Sequence, residues 1–257
     1  MASFTRSLLR GAEWRDLMDY LSPALFDVIA PASVAGFTSA LLAGRMDLGA
    51  ASRDRMERAA TLSARGVPVV VTARSISSMD ASAASAAQRQ ARGEAILRLY
   101  FHQIVEGGAA LLDLRPERFG AAPSPARWRP GWLRHRWRSD FLPALRGLYA
   151  GFYDDAPERF DASLETLGIA PARQIFLDHF GGDATAVVFE AAHFRDTFHD
   201  AFVACRDAGA RLHPDFLPLG LYLASLYAHL EPLAVPLDVR AAWQDVQVAR
   251  PQKRVSA

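Results

Sequence analysis

The chain has few features of a secreted, membrane-spanning or nucleic-acid-binding protein. Among its 257 residues there is one cysteine, Cys205, which excludes an intramolecular disulfide and favours a reducing compartment. No apolar run reaches the roughly 20 residues that a transmembrane helix needs. The formal net charge of +1 gives no overall attraction to nucleic acid and argues against it as a partner. We therefore expect a soluble cytoplasmic protein that is at most peripheral to a membrane.

The most regular part of the chain is the stretch 183–233, which contains two predicted helices. In the first helix, apolar residues recur at steps of three and four, which is typical of a helix that buries one face. These residues are Val187, Ala191, Phe194, Phe198, Phe202 and Cys205. Asp183 is placed to cap this helix and Gly209 to end it. The second helix is predicted to begin at His213-Pro214, and it is apolar on nearly every side, which indicates a central core helix.

The rest of the chain also favours helices. Further helices are predicted at 4–20, 46–65, 93–106, 132–151, 156–168, 172–180 and 238–246, and short strands at 67–72 and 109–114. The run 75–92 is interpreted as a solvated helix or a mobile loop. The stretch 116–131, with four prolines and two glycines, is interpreted as a linker or long loop. The sequence thus predicts a mostly α-helical, bundle-like fold with at most a short β-hairpin.

Several segments between residues 94 and 233 resemble the AarF/UbiB-type atypical kinase-like family. GEAILRLYFHQIVEGG, residues 93–108, is similar to the helix that precedes the family's catalytic loop. AALLDLRPERFG, residues 109–120, is similar to the strand that carries its metal-binding aspartate. The segment 141–169 and the helix pair of 183–233 resemble later helices of the kinase C-lobe.

The resemblance implies a domain division and a role for one residue. It separates an N-terminal helical region of residues 1–93 from a C-lobe-like helical domain of residues 94–247, and residues 248–257 would form a flexible tail. Asp113 would correspond to the aspartate that holds magnesium in the family. In this chain Asp113 is a candidate remnant of a nucleotide and metal site.

The chain departs from the family in the parts that carry out phosphoryl transfer. Gly107-Gly108 runs directly into Ala109, where the family has a loop of the form H-x-D-x-H-P-x-N. Residues 1–93 contain no glycine-rich nucleotide loop and no strand lysine placed for phosphates. Phosphoryl transfer needs positioned phosphates, metal ligands and an oriented nucleophile together. We therefore predict a non-catalytic, pseudokinase-like binding or accessory module without a cofactor, which the resemblance links to isoprenoid-lipid or quinone metabolism.

An alternative prediction is a helical-bundle oxidase that binds iron or manganese. Glu190 and His193 form an E-x-x-H pair, which on a helix would lie on one face, as di-iron carboxylate bundles require. His102 and Glu106 form a second pair at i, i+4, and together the four would provide nitrogen and oxygen ligands suited to iron or manganese. However, His102 and Glu106 also belong to a continuous polar stripe, which is typical of a solvated helix face.

The remaining candidate is an Arg/Trp segment at residues 127–138. Its basic and aromatic members are Arg127, Arg129, Arg134, Arg136, Arg138, Trp128, Trp132 and Trp137. An anionic membrane surface or a protein partner would use both types of side chain, because arginine binds phosphate and indole rings favour a half-wet boundary. Alternatively, the tryptophans fill a crevice and the arginines pair with acids such as Asp154, Asp155 and Glu158. The oligomeric state cannot be read from the sequence.

Overall fold

In the computed structural model, which describes residues 17, 20–179 and 186–248, the chain is predominantly helical. Its helices are α1 (Leu25–Val28), α2 (Pro31–Met46), α3 (Leu48–Ala64), α4 (Ala86–Glu106), α5 (Phe141–Tyr153), α6 (Pro157–Leu167), α7 (Arg173–His179), α8 (Ala191–Asp207), α9 (Phe216–Leu230) and α10 (Val239–Val248). The strands are β1 (Val69–Val71), β2 (Ala109–Leu111), β3 (Ala126–Trp128) and β4 (Arg134–Arg136). This confirms the predicted mostly α-helical fold. Most of the predicted helix 4–20, the predicted cap Asp183 and residues 249–257 of the tail lie outside the described residues.

The four strands form two long-range pairs. Strand β1 runs parallel to β3, with Val69 opposite Ala126, and β2 runs antiparallel to β4, with Ala109 opposite Arg136. The stretch 116–131 is therefore not a linker, because it contains β3, whose Ala126 and Trp128 have no exposed surface. The predicted helix 132–151 also begins later, at Phe141, since β4 occupies its first part.

Helix α9 is the centre of the core, as predicted. Of its fifteen residues, all but Ala228 are buried. Gln103 connects this helix to α4 and β2: its side-chain nitrogen donates to the Tyr222 hydroxyl at 2.7 Å, and its side-chain oxygen accepts from the Leu111 amide at 2.8 Å. A buried amide that satisfies both partners fixes the relative positions of the three elements.

Helix α8 begins later than its hydrophobic pattern predicts. Glu190 precedes the helix with extended backbone angles, φ −130° and ψ 125°, so the helix starts at Ala191. Val187 lies outside it and exchanges two backbone hydrogen bonds of 2.9 Å with Leu237. The predicted end is confirmed, because Gly209 has a φ of +69°, a conformation that favours glycine after a helix.

Helix α4 begins earlier than predicted, inside the alanine- and serine-rich run. Ser85 caps it through a capping box with Gln88, in which each side chain accepts from the other residue's backbone N–H. The helix therefore runs through position 93, where the sequence placed a domain boundary. Gly93 itself lies at a close approach, because a Cβ there would come within 2.6 Å of the Leu237 side chain.

Within the described residues, every helix is too short or too polar to span a membrane.

Candidate functional site

Asp113 lies on the extended segment that follows β2, and helix α9 holds that segment in place. The Ser225 hydroxyl lies 2.6 Å from the Leu112 carbonyl and accepts from the Leu114 amide at 3.2 Å. One helical turn later, His229 Nδ1 lies 2.6 Å from the Leu114 carbonyl. The backbone on both sides of Asp113 is thus anchored to the core helix.

The Asp113 carboxylate is buried and bound by two arginines. It is 1% exposed, and it accepts from Arg115 Nε at 2.9 Å, Arg115 Nη2 at 3.0 Å and Arg118 Nε at 2.7 Å. Burial alone would raise the pKa of Asp113, but the hydrogen bonds and charges of Arg115, followed by those of Arg118, outweigh burial and lower it. The carboxylate is therefore ionised at neutral pH. We call these three residues the Asp113 cluster.

The Asp113 cluster leaves little room for a metal ion at this carboxylate. Both oxygens accept charge-assisted hydrogen bonds, and Arg115 binds them in the bidentate manner that suits a guanidinium. The backbone also approaches closely, because a Cβ on Gly131 would come within 2.9 Å of Asp113 Oδ2. A cation that bound Asp113 would have to displace Arg115 and Arg118.

A cleft of about 450 Å³ lies next to the Asp113 cluster, with Pro116 in its wall. Met79, Pro116, Pro232 and Leu233 provide apolar lining, and the buried side chains of Arg92 and His229 provide polar groups. The volume lies within the range of about 300–1,000 Å³ that is usual for ligand sites.

Phe119 connects the cleft to the Asp113 cluster. The Arg92 guanidinium lies 5.8 Å from the centre of this ring, and the His229 ring meets it edge to face at 4.8 Å. On its other side Phe119 stacks on Trp128, whose Nε1 donates to the Asp113 carbonyl at 3.4 Å. Phe119 and Trp128 thus form a continuous packed contact between the side chains of the cleft and the backbone of Asp113.

A second, aromatic cavity is too small for an organic ligand. Its lining includes Tyr100, Tyr149, Tyr227 and His179, and its volume is about 60 Å³. Burial followed by the charge of His193 lowers the pKa of His179 to about 4, so this ring is neutral at neutral pH. A cavity that accepts benzene has a volume of roughly 150 Å³, whereas one water needs about 10–15 Å³. This cavity can hold a few water molecules, and the cleft is the better candidate for ligand binding.

The structure does not assemble the four residues of the predicted iron or manganese site. Glu190 stands before α8 in an extended conformation, so the prediction that it shares a helical face with His193 is wrong. Both side chains are exposed. Among the described residues, no group of three or more histidine, cysteine or carboxylate side chains is placed to hold a metal.

The other predicted metal-ligand pair, His102 and Glu106, contacts arginines instead of a metal site. His102 is fully buried rather than part of a solvated face, and its Nδ1 lies 3.3 Å from Arg58 Nη1. Burial, followed by the charge of Arg58, lowers the pKa of His102 to about 4. Glu106 forms an ion pair with Arg65 at 2.8 Å.

The tryptophans of the Arg/Trp segment mostly serve packing. Trp128 has no exposed surface, and Trp137 is half-buried and stacks on Phe141 with ring centres 5.3 Å apart. Trp132 is half-buried and lies under the Arg45 guanidinium at 5.7 Å. These positions agree with the crevice-filling alternative.

Three arginines of the segment face acids, although not the acids that the sequence suggested. Arg134 and Arg136 both bind Asp54, at 2.9 and 3.0 Å, and the Arg138 amide donates to Asp215 at 2.7 Å. No ion pair joins these arginines to Asp154, Asp155 or Glu158 among the described residues. Arg127 and Arg129 are exposed and make no ion pair in this part of the chain. Contact with an anionic membrane or a protein partner stays a hypothesis.

Sequence analysis missed Arg92 and did not assign a role to His229 in a site. Arg92 lies in the low-complexity run, and its burial depends on a loop near residue 120. His229 was expected near the end of its own helix, but its Nδ1 faces the carbonyl of Leu114, a residue far away in sequence. Neither contact has a local sequence signal.

Fold and site together define a mostly helical protein in which a buried aspartate bound by two arginines adjoins an apolar cleft. No protein-family model matches the chain, and no curated protein is significantly similar to it.

Proposed function

We propose that this protein is a non-catalytic, pseudokinase-like binding or accessory module and that the cleft beside the Asp113 cluster is its binding site. The resemblance described above links such a module to isoprenoid-lipid or quinone metabolism. The observation that carries the proposal is the double engagement of Asp113 by Arg115 and Arg118.

The energetics of the Asp113 cluster support a binding role over phosphoryl transfer. In kinase-like enzymes the corresponding aspartate holds the magnesium that bridges the phosphates. Here Asp113 holds two guanidinium groups instead, and Arg115 is itself largely buried, with 9% of its side chain exposed. Removing one partner from a buried ion pair typically costs about 3–5 kcal/mol. The binding free energy of a magnesium–nucleotide complex would have to exceed that cost.

The connection before β2 also supports the proposal. Helix α4 ends at Glu106, and Gly107 and Gly108, with φ of +75° and +73°, turn the chain directly into β2 at Ala109. Two residues with positive φ make the whole connection. There is no segment at this point that could supply a catalytic aspartate or asparagine.

We extend the proposal to a cytoplasmic location, peripheral to a membrane at most. Cys205 is buried on α8, and burial raises the pKa of its thiol to about 11. A thiol in this state is a poor nucleophile, so its role is packing. A single buried thiol that forms no disulfide is compatible with a reducing compartment such as the cytoplasm.

The test is a thermal-shift titration with magnesium and ATP. We expect no nucleotide-dependent stabilisation at millimolar ATP, because saturation at about 100 times Kd would add roughly 2.7 kcal/mol and be easily detected. A stabilisation of several degrees that is absent in Asp113→Ala would overturn the proposal. Each variant is compared with its own nucleotide-free sample, and Asp161→Ala, at an exposed ion pair, is the matched control.

A further inference from the structure

We propose that the cleft binds an amphipathic monocarboxylate, with its carboxylate at Arg92 and its apolar part against Met79, Pro116 and Leu233. This inference rests on the proposed function, since it names the ligand class of the module's site.

Within the described part of the chain, Arg92 is a buried cation without a counter-ion. The residue is 1% exposed, and its Nη2 donates to the carbonyls of Gly120 and Ala122. Its Nε has no hydrogen-bond partner, and no carboxylate of the described residues forms an ion pair with it. Burial lowers the pKa of Arg92 to about 10, which still leaves it charged at neutral pH. An uncompensated buried charge is costly, and an anion from outside would offset that cost.

The charges around the cleft favour a ligand with a single negative charge. His229 faces the Leu114 carbonyl through Nδ1, and because a carbonyl only accepts, the proton is on Nδ1. Burial lowers the pKa of His229 to about 3, so this ring adds no second positive charge. Asp80, whose exposed carboxylate accepts from Ser82, also lines the cleft and would repel a dianion about twice as strongly as a monoanion. One guanidinium therefore matches a carboxylate better than a phosphate dianion.

The rest of the cleft suits an apolar body. Its walls are largely carbon, from Met79, Pro116, Pro232 and Leu233, and its volume of about 450 Å³ exceeds what a carboxylate alone would fill. Apolar lining with a small number of buried polar groups is the usual composition of a small-molecule site. An aliphatic or aromatic acid fits this description.

Isothermal titration calorimetry with octanoate at about pH 8.5 tests the proposal, with 1-octanol as the neutral probe and inorganic phosphate, which is mainly a dianion at that pH, as the dianionic one. We expect octanoate to bind at least about tenfold more tightly than octanol, the factor that corresponds to one good charged contact. We expect phosphate not to compete. Arg92→Met should weaken octanoate binding by about tenfold or more.

Arg92→Met also removes the hydrogen bonds that Arg92 donates to the loop near residue 120. A second variant, in which Arg92 is unchanged, therefore separates loss of ligand binding from a change in that loop. Ala81→Phe narrows the cleft without altering Arg92, and it should weaken octanoate binding by a similar factor. Arg195→Met removes an exposed arginine on α8, outside the cleft, and should leave the affinity within about twofold.

Equal affinity for octanol and octanoate, or octanoate binding that Ala81→Phe leaves unchanged, would overturn the proposal. Failure to detect octanoate at millimolar concentration would do the same. None of these outcomes bears on the magnesium–ATP titration, so failure of the ligand class and failure of the proposed function can be told apart.

Discussion

Replacement of Asp113 by asparagine distinguishes an ion-pair cluster from a metal ligand. Asparagine keeps the size of the side chain but removes its charge and one of the two acceptor oxygens. In the Asp113 cluster this removes the buried negative charge that Arg115 and Arg118 share, while Arg115 keeps its ion pair with Glu117 at 3.1 Å. If Asp113 were instead an empty metal site, the same change would relieve an uncompensated negative charge and leave stability unchanged or higher.

The expected loss can be bounded from the burial of the three side chains. Breaking a buried ion pair costs about 3–5 kcal/mol. Asp113 is 1% exposed, but the side chains of Arg115 and Arg118 are 9% and 21% exposed, so water can partly solvate them. We therefore expect Asp113→Asn to lower the free energy of unfolding by about 3 kcal/mol, the lower end of that range.

Urea unfolding measures this change. The midpoint should fall while the m-value stays the same, which identifies a true loss of stability. Asp161→Asn is the control, because Asp161 pairs with Arg173 at 2.6 Å at the surface, where such pairs contribute about 0.5 kcal/mol or less. An Asp113→Asn midpoint equal to or above that of the wild type would refute the reasoning.

The stability difference between wild type and Asp113→Asn should also depend on pH. Arg115 and Arg118 hold the pKa of Asp113 below its ordinary value, despite the opposing effect of burial. A carboxyl with a lowered folded-state pKa contributes stability above its unfolded pKa of about 3.9, and this contribution is lost as pH falls through the folded pKa. The stability difference between wild type and Asp113→Asn should therefore shrink below about pH 4.

Two further predictions concern the core and the surface. Phe198 is 7% exposed on α8, so Phe198→Ala should lower the free energy of unfolding by about 3–5 kcal/mol. Asp200 is exposed, so Asp200→Ala should change it by no more than about 0.5 kcal/mol. Denaturant midpoints in the reverse order would contradict the assignment of the buried face of α8. Wild-type protein should not sediment with anionic liposomes at low salt, because Trp128, Trp132 and Trp137 pack against the fold and Arg134 and Arg136 are held by Asp54. Salt-dependent sedimentation would instead support membrane contact.

Local signals in the sequence were sufficient for much of the fold. Gly209, the predicted end of its helix, has positive φ after α8, and the predicted helix 46–65 likewise stops before Gly66, which has positive φ after α3. The apolar composition of the stretch after His213-Pro214 identified the core helix, which begins at Phe216, because a helix without a polar face has to be shielded from water. These features depend on residues close together in the chain.

Features that depend on distant partners were not predictable in the same way. His102 falls on a stripe of polar residues, but Arg58, forty-four positions earlier, buries it. Arg134 and Arg136 bind Asp54, which lies 80 and 82 positions earlier in the chain, and not the nearby Asp140. Val187 continues the apolar spacing of α8, yet it pairs with Leu237 in an isolated antiparallel β-bridge. Hydrophobic periodicity cannot predict such contacts, because it indicates only which residues share a face of one helix or strand.

Arginines, rather than a metal–nucleotide complex, bind the Asp113 carboxylate. The most direct test is the water-proton relaxation rate of a manganese–ATP solution titrated with the protein, since manganese bound to a macromolecule enhances that rate. The account predicts no enhancement at millimolar concentrations of manganese and ATP. An enhancement that saturates with protein and disappears in Asp113→Asn would contradict it.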